Sequence, residues 1–144
     1  MNTAGQSIVD IALSIATQAH EGQLDKAGIE YIKHPIYVAN QVKSEKEKAV
    51  ALLHDVLEDS PVSAEELLIA GLPEEVVTAV KVLTKKPMQD YQAYLATVKK
   101  NSLARVVKLA DLKHNSDLSR LTSITEKDRE RLKKYKNAID FLSR

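Results

Sequence analysis

Ala49-Val50-Ala51-Leu52-Leu53-His54-Asp55-Val56-Leu57-Glu58-Asp59 sets an apolar run against four charged or titratable side chains. Apolar side chains at 49, 50, 52, 53, 56 and 57 surround most of a helical cylinder. The spacing predicts a helix over Glu45 to Glu58, central and well buried. His54 and Asp55 fall inside its most apolar part. An uncompensated carboxylate there costs several kcal/mol by order of magnitude, so something must balance it. A divalent cation would do so and would also accept the imidazole. Glu58 stands one helical turn after His54, and Asp59 one turn after Asp55, so each pair shares a face.

Outward from this run the helical period continues in both directions. Ile8, Ala12, Ile15, Ala16 and Ala19 form a stripe that Gly22 stops, and residues 22 to 33 read as a loop. Pro35 opens a helix carrying Ile36, Val38, Ala39 and Val42. Ser63 with Glu66 is a capping box for a short helix ending at Gly71. Pro73 opens the next, with Val76, Val77, Val80 and Leu83 inward, and Pro87 breaks it. Tyr91, Tyr94, Leu95 and Val98 mark another. Leu103 to about Leu118 is a further helix. Thr125 with Asp128 caps the last, where Leu132, Tyr135, Ile139 and Leu142 repeat. No strand or repeat emerges. The expectation is an all-α, compact helical bundle of about seven to eight helices, with residues 1–144 as one domain.

Composition narrows the function. Apolar residues make up 44% of the chain, enough for a core. There is no cysteine, so a bound metal must use nitrogen and oxygen ligands. The formal net charge of +1 argues against bulk binding to nucleic acid or membranes. Lys99-Lys100 and Lys133-Lys134 read as solvated helix faces. No signal peptide or membrane-length apolar run is visible, so a soluble cytoplasmic protein is expected. Oligomeric state is not legible.

Two further places put polar groups where a core should be. Asp111 follows Val106-Val107-Lys108-Leu109-Ala110, and Asn115 lies one turn later on the same side. His34 precedes Pro35 at a helix entrance. Taken singly, each has an ordinary explanation. His34 or His114 could be a core or surface histidine, and Asp55 or Asp111 a carboxylate paired with arginine. Glu58 and Asp59 could be a solvated helix end, and His20 a partner of a helix dipole. Their joint pattern is hard to produce by accident: an isolated histidine, a His-Asp pair, a carboxylate pair, then a distant Asp with Asn one turn on.

That pattern resembles the HD superfamily of metal-dependent phosphohydrolases, and within it the hydrolase domain of the RelA/SpoT-type alarmone enzymes and their small stand-alone relatives. The matching stretches are Ala19-His20-Glu21-Gly22-Gln23, Lys26-Ala27-Gly28, Tyr31-Ile32-Lys33-His34-Pro35, Ala51 to Ser60, Val82-Leu83-Thr84-Lys85, and Val107 to Asp111 with His114-Asn115. The resemblance implies a divalent ion, usually manganese, on His34, His54, Asp55 and Asp111. It implies that Glu58 and Asp59 handle the water nucleophile, that Asn115 lies near ribose and phosphate, and that Lys26 belongs to the nucleotide pocket. Lys85 and Lys86 are weaker candidates for substrate phosphates. The implied reaction is hydrolysis of a phosphate or pyrophosphate ester of a small nucleotide, foremost the 3′-pyrophosphate of guanosine 3′,5′-bis(diphosphate).

The chain also departs from that pattern. Asp25 stands where the alarmone hydrolases carry an arginine over the guanine ring, Leu112 follows the ligand aspartate in place of an arginine, and Asp117 or Ser116 replaces a basic residue. Two alternatives stay open: an HD phosphohydrolase on another nucleotide or phosphoester, and a nucleotide-binding module without turnover.

Overall fold

Four Ser/Thr residues set the starts of their helices. Ser7, Ser44, Ser63 and Thr125 each form a reciprocal capping box, with Asp10, Glu47, Glu66 and Asp128 respectively. Each box satisfies amides that the first helical turn leaves unpaired. The computed structural model describes residues 7–119, 121 and 123–144. Among these, nine helical segments follow one another: α1 (Ile8–Ala19), α2 (Lys33–Asn40), α3 (Glu45–Leu53), α4 (Val56–Asp59), α5 (Ala64–Ile69), α6 (Glu74–Leu83), α7 (Tyr91–Lys100), α8 (Ser102–Asn115) and α9 (Glu126–Ser143). The described residues contain no strand, only an isolated antiparallel bridge between Leu24 and Glu30. None of the helices is long and apolar enough to cross a membrane.

The central position expected for the 45–58 segment is what the fold shows. Ala49, Val50, Ala51 and Leu53 are fully buried, and α3 packs against α1, α2, α6 and α8. α8 in turn crosses α2, α3, α6, α7 and α9. His34 on α2, His54 and Asp55 beside α3, and Asp111 on α8 therefore arrive from three mutually packed elements.

The segment is not one continuous helix, however. Regular structure ends at Leu53 and resumes at Val56. The His54 imidazole Nδ1 lies 2.5 Å from the Ala51 carbonyl oxygen, which an unbroken helix would give to the Asp55 amide. The side chain competes for the backbone acceptor and the ladder breaks there. Other boundaries shift for similarly local reasons. α2 begins at Lys33, two residues before Pro35, which is tolerated because the first helical turn has no use for the missing amide. α8 stops at Asn115 rather than near Leu118, where the Ser116 hydroxyl donates to the Leu112 carbonyl at 2.7 Å. The loop between α1 and α2 turns at Gly28, whose φ of +79° suits a residue without a side chain.

Candidate metal centre

The short break after α3 aims His54 inward. Its Nδ1 faces a carbonyl, which can only accept, so that nitrogen carries the proton. Nε2 then presents the lone pair of the neutral ring. It is buried and has no hydrogen-bond partner among the described residues. It lies 3.1 Å from Asp55 Oδ2 and 3.3 Å from Asp111 Oδ1. A lone pair facing two carboxylate oxygens is repulsive unless a cation stands between them. His34 Nε2 reaches the same Asp111 Oδ1 at 2.8 Å. His34, His54 and Asp111 are all buried, and each offers a ligand atom within 4.8 Å of the others. This donor set of imidazole nitrogen and carboxylate oxygen fits a divalent metal ion. The carbonyl behind His54 is the kind of outer partner that fixes a ligand tautomer.

Asp55 lies alongside this trio, on the other side of His54 Nε2. Its Oδ2 also accepts the Tyr31 hydroxyl. Burial opposes the charge on Asp55, but His54 outweighs it and brings the pKa down to about 2. Burial likewise opposes charge on Asp111; Lys108 and then His54 hold it well below the usual carboxylate range. Burial would lower the His54 pKa, yet Asp55 and Asp111 keep it well above the ordinary imidazole value.

Lys108, one turn before Asp111 on α8, is the fixed cation. Its Nζ lies 3.2 Å from Asp111 Oδ2 and 5.5 Å from the centre of the Tyr94 ring. Asn115, one turn after, donates to Asp111 Oδ1 at 3.1 Å. Asp111 is thus gripped from both directions along its own helix. His114 touches the site from outside, with its Nδ1 2.7 Å from His34 Nδ1.

Glu58 and Asp59 lie on α4 with exposed side chains, at the outer edge of the cluster. Burial first, then the charges of Asp55 and Asp59, raise the Glu58 pKa; Lys108 and the Lys85 backbone work against the rise. Asp59 is raised by burial and then by Asp55, against His20 and His54. The Lys85 amine turns onto the Lys86 carbonyl at 3.2 Å. His20 is buried rather than solvated. Its Nδ1 meets Gln23 Oε1 at 2.9 Å, and Gln23 donates to the Ala19 and Asp59 carbonyls.

Beside the cluster opens a cavity of about 350 Å³, lined by Lys26, Tyr31, Asn115, Arg131 and Tyr135 among others. Tyr31 and Asn115 belong to both cavity and cluster. Lys26 is half-exposed, 3.8 Å from Asp128 Oδ1, and Arg131 reaches the same oxygen at 2.6 Å. Asp25, Asp117 and Asp128 bring carboxylates to the same walls. Asp25 is largely occupied with its own loop: Oδ1 accepts the amides of Ala27 at 2.8 Å and Ile29 at 3.0 Å.

Sequence reasoning missed Tyr31, Lys108 and Arg131 as site residues. Lys108 was within reach, because its one-turn spacing to Asp111 is the spacing used for Asn115. Tyr31 and Arg131 carried no such signal.

An all-helical domain with two histidines and two aspartates meeting from three elements is the HD arrangement. No family profile matches the chain. It is 36% identical over 134 residues to a guanosine-3′,5′-bis(diphosphate) 3′-pyrophosphohydrolase of Haemophilus influenzae, covering 83% of this chain and 20% of that protein. It is 36% identical over 118 residues to the bifunctional (p)ppGpp synthase/hydrolase SpoT of Escherichia coli, covering 72% of this chain and 17% of that one. The chain spans about a fifth of the length of these curated relatives. A solved structure described as a metazoan orthologue of SpoT that hydrolyses ppGpp superimposes with a TM-score of 0.77 at 26% identity, covering 95% of this chain and 86% of that one. The chain belongs to the SpoT-related family of HD-type domains.

Proposed function

We propose that this chain is a metal-dependent phosphohydrolase, a single catalytic unit acting on the 3′-pyrophosphate of guanosine 3′,5′-bis(diphosphate) or a close relative. The observation that carries the reading is the unpartnered His54 Nε2, buried against Asp55 and Asp111 next to a cavity of about 350 Å³, within the size range of small-molecule sites. The names of the relatives point to the same reaction.

His34, His54, Asp55 and Asp111 would hold one divalent ion, manganese in this reading. Such an ion polarises a phosphoryl oxygen and lowers the pKa of water. Glu58 and Asp59 orient the attacking water, and one of them takes its proton. The water oxygen bonds to the phosphorus next to the ribose. The bond from that phosphorus to the 3′ oxygen breaks, and a proton converts the leaving oxygen to hydroxyl. Asn115 is placed to meet the ribose or phosphate, and Lys26 and Arg131 to neutralise phosphate oxygens. Lys85, whose amine lies on the Lys86 carbonyl, is the weaker candidate for that role. A nucleotide substrate implies a cytoplasmic setting.

Asp25, Asp117 and Asp128 on the cavity walls favour a second reading within the same chemistry: a nucleotide carrying fewer phosphates. Pyrophosphate and phosphate release with added manganese, measured over guanosine 3′,5′-bis(diphosphate) and less charged nucleotides, decides between the two. Absence of release from every nucleotide by folded, manganese-loaded protein would remove the enzymatic reading altogether.

A further inference from the structure

His114 makes a contact that the proposed reaction does not use. Its ring centre lies 4.9 Å from that of His34, the planes differ by 12°, and the two Nδ1 atoms are 2.7 Å apart. So short an approach between ring edges, at that centre-to-centre distance, sets the rings nearly coplanar and edge to edge. This is the geometry of an N–H···N hydrogen bond, in which one ring donates and the other accepts. Tyr37 stacks on the same His114 ring, centre to centre 4.0 Å and 20° from parallel, and holds its plane.

A ligand histidine must present a bare nitrogen. His34 reaches Asp111 Oδ1 through Nε2, the nitrogen that points into the cluster. For Nε2 to offer its lone pair to an ion, the ring proton must sit on Nδ1. His34 Nδ1 then donates, and His114 Nδ1 accepts. We infer that His114 is a positioning residue for the metal centre: its Nδ1, held in plane by Tyr37, fixes the tautomer and rotation of His34. The Ala51 carbonyl does the same for His54. The two imidazoles thus have different outer acceptors, one from the backbone of α3 and one from a side chain on α8. Asn115, the next residue, grips Asp111, so the end of α8 orients two ligands at once. The sequence alone places His114 beside Asn115 in a stretch that carries the family resemblance but gives it no role of its own.

The inference rests on the metal site of the proposed function, and the test separates the two. Manganese affinity of the full chain is measured by electron paramagnetic resonance for wild type, His114→Ala and His114→Asn. Asparagine places Oδ1 near the position of Nδ1 and can still accept. Alanine is expected to weaken binding by about 10- to 100-fold, the usual effect of losing an outer partner, and asparagine to recover most of that loss. Wild type without specific binding would sink the metal site itself. Wild type that binds, with alanine equal to it, would sink only the role of His114. Should the alanine variant fold poorly, nitrogen-15 correlation spectra of zinc-loaded wild type give the answer directly. The expected signature is a bare Nδ1 and protonated Nε2 on His114 beside a protonated Nδ1 on the metal-bound His34, and a protonated Nδ1 on His114 would overturn the inference.

Discussion

Asp25→Arg restores the cation that the alarmone hydrolases carry at this position, and charge alone says it should help a polyanionic substrate. The structure adds an opposing effect. Asp25 bonds its own loop four times: Oδ1 to the amides of Ala27 and Ile29, its amide to the Ile29 carbonyl at 2.8 Å, and its carbonyl to the Gly28 amide at 3.0 Å. Arginine keeps the backbone bonds and loses the two to Oδ1. Each is worth roughly 0.5–1.5 kcal/mol in a partly exposed loop, so the loss is about 1–3 kcal/mol of loop order, felt by Lys26 next door. Across about 10 Å at an effective dielectric near 40, one pair of unit charges interacts by ~0.8 kcal/mol. Reversing the sign at position 25 therefore gains an amount similar to what the loop loses. Asp25→Asn separates the two effects: its Oδ1 still accepts both amides while one negative charge is gone. The expected order of kcat/KM on guanosine 3′,5′-bis(diphosphate) is Asn above wild type by roughly three- to tenfold, from one charge removed opposite several. Arginine should be no better than Asn and should have a lower Tm. An arginine variant that outperforms Asn tenfold at an unchanged Tm would refute this reasoning, because the loop bonds would then count for nothing.

Glu58→Gln and Asp59→Asn should each keep manganese binding yet lower kcat by roughly 10²-fold or more; near-normal turnover in both removes the pair from the mechanism. The same substitutions should raise the Tm of metal-free protein at neutral pH. Both carboxyl pKa values are raised in the fold, so their contribution to stability falls as pH rises from the unfolded value through the folded one. Differential scanning fluorimetry at pH 4 and pH 7 checks the sign, since the gain should vanish at the lower pH. Tyr31→Phe removes the hydroxyl that Asp55 accepts and should weaken manganese binding measurably with little change in fold; an unchanged affinity by calorimetry would show that Asp55 needs no such restraint. Excess manganese should raise Tm with a concentration dependence set by its Kd, and His54→Ala should abolish that rise.

The helices and the central cluster were legible because two signals coincided. Apolar period placed α3 and α8 in the core, and titratable residues inside those runs had to be compensated there. His54, Asp55 and Asp111 follow from that rule alone. The break at His54 did not follow, because a side chain taking the Ala51 carbonyl leaves no mark on periodicity. Tyr31 sits on a loop shaped by the Asp25 bonds and the Leu24–Glu30 bridge, where no repeat betrays direction. Arg131 lies in Glu126-Lys127-Asp128-Arg129-Glu130-Arg131, which reads as a solvated face. Only the packing of α9 on α8 turns it toward the cavity.

The distribution of charge explains why such a site is tolerable in a small fold. Asp55, Asp111, Glu58 and Asp59 converge on one region, and Lys108 is the one fixed cation bonded to the ligand carboxylates among the described residues. The two inner carboxylates stay ionised because Lys108 and His54 lie against them. The excess negative charge is then felt at Glu58 and Asp59, whose pKa values rise instead of fall. That places the electrostatic strain at the exposed edge of the cluster, where the proposed reaction would admit water and substrate. An ion of charge two, bound among His34, His54, Asp55 and Asp111, would relieve the repulsion and lower both values back toward the ordinary range. Metal loading and readiness of the carboxylate pair to act as base are therefore coupled through electrostatics. The pH at which Glu58 and Asp59 lose their protons should move down as the site fills with a divalent ion, which carboxyl carbon-13 shifts measured with and without a diamagnetic divalent ion such as magnesium would show.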